Sequence, residues 1–133
     1  MKKILFFLSM LILSATGFAD NLVINNQTTY PSKNPQTQMA VQWASSASEV
    51  DQANKAMMCG KPLDMSKVQT INKTGKVTLS IPKDAEHLRL LVWTQRTKEP
   101  DLVTNWVDIT PNKTYPVKTD QLVPVVLMPG SGC

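Results

Sequence analysis

Between Gly75 and Gln95 the chain alternates apolar and polar side chains in two runs, and this period restricts the possible folds more than any other feature. In the first run, Val77, Leu79 and Ile81 alternate with Lys76, Thr78 and Ser80. Successive side chains of a strand point to opposite faces, so the spacing predicts a strand with one dry face and one wet face. Pro82 ends it. The second run, His87 to Gln95, sets Leu88, Leu90 and Val92 on one face and Leu91 and Trp93 on the other. A strand that is apolar on both faces is covered on both sides, which predicts a central strand around which the rest of a small all-β domain is arranged.

The same pattern recurs along the chain. Leu22 to Ile24, flanked by asparagines, reads as a first strand, and Met39, Val41 and Trp43 alternate through a second. Lys67 to Ile71 is a short candidate, and the turn residues Asn72 to Gly75 predict a hairpin joining it to the Lys76 to Ile81 run. Leu102 to Ile109 reads as one strand, followed by Thr114 to Lys118 and Leu122 to Met128. Pro116 and Pro124 push these last two to sheet edges, because proline cannot donate to a ladder. Only one stretch breaks the period. Ser46-Ala47-Ser48-Glu49 fits a capping box, Val50, Ala53 and Met57 recur at helical spacing, and Gly60 is placed to end the helix. A helix over 47–58, crossing between the sheets, is the expectation. Seven to eight short strands and one short helix predict a small immunoglobulin-like or Greek-key β-sandwich, with a small β-barrel as the alternative.

The leader sets the compartment. Lys2 and Lys3, the apolar run Ile4 to Leu13 and the small residues before Ala19 form the three parts of a secretory signal peptide, over 1–19, of bacterial form. Cleavage between Ala19 and Asp20 leaves a single domain over 20–133, and the apolar run is too short to span a bilayer, which needs about 20 residues. The chain is therefore expected in the periplasm or outside the cell, with no stable membrane insertion after processing. Losing Lys2 and Lys3 reduces the formal charge of +4 to about +2. The remaining lysines are dispersed, which does not predict a nucleic-acid partner.

Cys59 and Cys133 are the two cysteines, and an even count in an oxidising compartment predicts a disulfide between them. An intermolecular bond through Cys133 is the competing reading, and a monomer is preferred over a covalent dimer.

A catalytic signature is absent from the sequence. His87 is the one histidine, there is no Gly-x-Ser-x-Gly elbow, and no glycine-rich phosphate loop occurs. Asp84 with Glu86, or Asp101 with Asp108, are carboxylate pairs of the type a glycosidase uses, but they fit turns and surface equally well. Met57, Met58, Cys59 and Met65 offer soft sulfur ligands for copper(I), yet methionine more often fills core gaps and an oxidised Cys59 cannot coordinate, so neither metal nor cofactor is predicted. Met57 and Met58 read either as a disulfide-braced inhibitor loop or as the buried face of the helix, and their spacing favours the helix. Trp93 and Trp106 read either as an apolar patch for a protein or glycan partner or as a second core layer. The resulting expectation is an exported, non-enzymatic binding protein of the bacterial periplasm or extracellular space. An inhibitor of an extracytoplasmic protease or other enzyme is the alternative, and a small secreted hydrolase comes third.

Overall fold

A computed structural model describes residues 20–127. Its strands are β1 (Asn21–Gln27), β2 (Gln38–Ala44), β3 (Val68–Ile71), β4 (Gly75–Ser80), β5 (His87–Trp93), β6 (Leu102–Val103), β7 (Val107–Asp108), β8 (Thr114–Lys118) and β9 (Val123–Pro124). A single α-helix among the described residues, α1 (Ala47–Met58), joins β2 to β3. The strands form two sheets. One has the order β4-β1-β8; the other runs β3-β2-β5-β6-β9, with β7 pairing the start of β5. Every pair is antiparallel except β1 with β8.

The sheets face each other across one core and make a small β-sandwich. Leu22 and Ile24 of β1, Leu79 of β4 and Val117 of β8 meet Met39, Val41, Leu88, Leu90 and Val92 of the opposite sheet. The strand order is not that of an immunoglobulin domain, where the first strand pairs with the second; here the first strand lies between the fourth and the eighth. The two sheets do not close into a barrel.

β5 is covered on both sides, as its two apolar faces predict. Leu91 and Trp93, with Ala40 and Val103, form a second buried cluster on the outer face of its sheet, packed against Met57, Leu63, Val68 and Val125. The helix that supplies Met57 occupies the range its sequence predicts. Ser46 Oγ accepts from Glu49 N at 3.1 Å, and Gly60 follows the helix at φ +69°. The glutamate departs slightly from a capping box: its Oε1 accepts from Ser45 N at 2.9 Å, one residue before the N-cap.

Three expectations are corrected. Val68–Ile71 and Gly75–Ser80 are not a hairpin: β3 pairs β2 and β4 pairs β1, so the turn between them carries the chain from one sheet to the other. Asn26, 2 % exposed, fixes that corner, its Nδ2 donating to Lys73 O at 3.1 Å and to Tyr30 O at 2.7 Å. The helix does not cross between sheets, because β2 and β3 are neighbours in one sheet and α1 returns over its outer face. Leu102 to Ile109 is not one strand. Thr104 accepts from Leu90 N through its hydroxyl (2.9 Å) and donates its own N–H to Leu90 O (3.1 Å), so a side chain replaces a ladder bond and splits the run into β6 and β7.

Candidate binding groove

The sheets are of unequal width. The first ends at β8, whereas the second continues past β5 into β6 and β9, and a groove of about 610 Å³ opens there. Leu88 and Leu90 of β5 and Tyr115 and Val117 of β8 form its floor. Val107 of β7 and Val123 of β9 stand at its rim, 41 % and 39 % exposed. Thr104, Asn105, Gln121, Lys113 and Asp120 add polar groups around this apolar floor. A concave apolar site with a few polar groups at the edge, in the range of about 300–1,000 Å³, is the usual form of a ligand pocket.

β8 holds its position through Tyr115, whose hydroxyl donates to Asp108 O at 2.9 Å and accepts from Thr110 N at 2.6 Å. The strand's free edge is blunted. Val23 N donates to Lys113 O, so Lys113, Tyr115 and Val117 turn their backbone groups toward β1, and Thr114, Pro116 and Lys118 turn theirs away. Pro116 therefore lacks its N–H on the outward side, and the outward Lys118 N–H is taken by Gln121 Oε1 at 2.7 Å. These two features leave side-chain contact with the floor as the main way to occupy the groove.

Behind the groove, on the outer face of the same sheet, sits a residue that sequence reasoning missed. Arg89 is 1 % exposed and has no carboxylate partner among the described residues. Its Nε donates to Gln42 Oε1 at 2.7 Å and its Nη1 to Asn54 Oδ1 of α1 at 2.8 Å, while Nη2 has no acceptor among the described residues. The Trp106 ring lies over the guanidinium, 4.5 Å from Arg89 Cζ, and donates its own N–H to Asn54 Oδ1 at 3.0 Å. Burial lowers the Arg89 pKa to about 10, so the group remains charged at neutral pH. A signal was present in the sequence: Arg89 shares the face of Leu91 and Trp93, so coverage of that face required its burial as well.

The other predicted residues are dispersed. Trp93 is a core residue, 6 % exposed, with its N–H donating to Lys98 O at 3.2 Å; Trp106 is half-buried over Arg89, so the two indoles do not form a shared exposed patch. Met57 and Met58 lie in the last turn of α1 rather than in an extended loop, and Met57 packs on the second cluster. Met65 is 61 % exposed. Cys59 is the helix C-cap, while its predicted partner Cys133 lies outside the described residues, as does Ala19 of the predicted cleavage site.

Asp101 and Asp108 stand at opposite ends of β5, Asp101 accepting from Thr94 N and Thr94 Oγ1 and Asp108 accepting from His87 Nδ1 at 3.0 Å. They do not form a pair. Asp84 and Glu86 are exposed on a cleft of about 710 Å³ that also includes Asp20, His87 and Asp108. Among the described residues, no three His, Cys, Asp or Glu side chains are grouped to hold a metal ion, and no helix is long and apolar enough to cross a membrane. No protein-family model and no curated protein matches the chain.

Proposed function

We propose that this protein is an exported binding protein with no catalysis of its own, and that its groove takes apolar side chains from an extended segment of a partner protein. The observation that carries this reading is the placement of Val107 and Val123. Four large apolar side chains are well exposed among the described residues, and these two flank a groove with an apolar floor contributed by both sheets. Exposed apolar groups of this kind mark interaction surfaces when they border a cavity. All four are Met or Val, which favours a protein partner over a glycan, since sugars stack on exposed aromatic faces.

Export rests on the leader. β1 begins at Asn21, so cleavage before Asp20 leaves every described strand intact. The disulfide between Cys59 and Cys133 belongs to the same reading: Val125 and Met57 pack on one cluster, which brings the chain near its C-terminus beside the end of α1. Six residues lie beyond Leu127, a reach of about 20 Å when extended.

The test uses the rim. A displayed library of random peptides, panned against the purified protein, is expected to enrich sequences with alternating apolar residues. Val107→Asp and Val123→Asp should each weaken those peptides at least tenfold, about 1.4 kcal/mol, with the melting temperature preserved. Peptides that bind both variants as tightly as the native protein would refute the groove as the site.

A further inference from the structure

The sandwich has one long edge that no described residue covers, with Lys76 its one charged side chain. Ile81 N donates to Asp20 O, and backbone groups alternate in direction along a strand, so Val77 and Leu79 turn theirs toward β1. Lys76, Thr78 and Ser80 turn theirs away, and among the described residues none of them has a hydrogen-bond partner on that side. Other edges are guarded. Pro116 removes an outward N–H from β8. On β9, Val125 N donates to Asp101 O, so Pro124 likewise faces outward and removes another. β3 has only four residues. β4 has six, contains no proline and carries no bulge.

We infer that β4 is a self-association edge, pairing antiparallel with β4 of a second copy and joining the two three-stranded sheets into one. Its alternation selects the register. Outward-facing backbone groups must meet, and core-face side chains must stay on one side of the joined sheet. Both conditions are satisfied with Thr78 on the two-fold axis. Lys76 then stands opposite Ser80 of the second copy, and Val77 opposite its Leu79. Each of the three outward residues finds a hydrogen-bonded partner, no like charges meet within the strand, and the half-buried Val77 is covered. A second copy fits better than an unrelated strand because this sequence is complementary to itself under the two-fold.

Beyond the strand ends, Lys73 of one copy falls beside Lys83 of the other. That repulsion keeps the association weak at low ionic strength and makes added salt tighten it. With a small interface, the dissociation constant belongs in the micromolar to millimolar range, about −4 to −8 kcal/mol.

Sedimentation equilibrium of the purified protein over about 10 μM to 1 mM reads this directly. The native protein should shift from monomer to dimer, with slower amide hydrogen exchange at Thr78 and Ser80 in the dimer. Thr78→Lys places two lysines on the axis and should weaken the dimer at least tenfold, whereas Thr78→Val, a good strand former at the same position, should retain it. A protein that stays monomeric throughout, or a dimer equally stable in Thr78→Lys, overturns the inference.

Discussion

Arg89 illustrates how a single position acquires its meaning from its surroundings. A buried cation without an acid costs several kcal/mol of desolvation, offset here only by two neutral amide carbonyls and an indole face. Arg89→Met alone should destabilise the protein by about 1–3 kcal/mol, because Gln42, 5 % exposed, loses the donor to its carbonyl. Asn54 is less affected, since Trp106 still donates to it. Combining Arg89→Met with Gln42→Leu removes both polar groups and should recover at least native stability in urea unfolding. A double variant as unstable as the single one would show instead that the charged network contributes net stability. The sequence made the face of Arg89 legible, but not its neighbours: Asn54 and Trp106 lie 35 positions before it and 17 after it in the chain, and only the fold brings them to one guanidinium.

At the scale of elements, the start of α1 is tied to the sheet through Glu49. Its carboxylate accepts the Ser45 N–H and approaches Lys67 Nζ at 3.5 Å, and the Ser45 bond is the chief reason that its pKa lies below the ordinary glutamate value. A carboxyl whose pKa is lowered by folding stabilises the native state above its unfolded value and loses that contribution as pH falls through the folded value. Thermal melts over the acid range should therefore show a decline below the ordinary carboxylate pKa that is smaller in Glu49→Gln. An identical acid profile in that variant would rule out Glu49 as a contributor. The helix was legible to the residue because its signals are local: a serine cap, a 3.6-residue period and a terminal glycine. The hairpin expected at Asn72–Gly75 differs from the observed crossing for the opposite reason. Turn residues report that the chain reverses, whereas the sheet each arm joins depends on which edges β1 and β2 offer.

At the scale of the whole molecule, the proposed bridge to Cys133 is a test of how much a small sandwich gains from a cross-link. If formed as proposed, a bond between Cys59 and Cys133 would close a loop of roughly 74 residues, for which the loop-entropy argument gives about 4 kcal/mol. Denaturant unfolding of the oxidised protein against Cys59→Ser should show a loss approaching that size. Equal stabilities, or two titratable thiols in the purified native protein, would remove the bridge from the account. The same molecule has two surfaces with different chemistry, an apolar groove beside β8 and a bare backbone edge at β4. They lie on opposite margins of one three-stranded sheet, so a partner in the groove leaves the self-pairing edge open.

Period-two alternation determined by itself that the chain builds strands, and apolar residues on both faces of β5 determined that this strand is central. Local capping chemistry likewise determined the helix. These are properties of neighbours in sequence, set by side-chain direction and backbone sterics. Sheet membership, the unequal sheet widths that open the groove, and the partners that Arg89 meets were decided only in three dimensions. Each depends on which distant strands compete for the same edge, and that competition leaves no trace in the local order of residues.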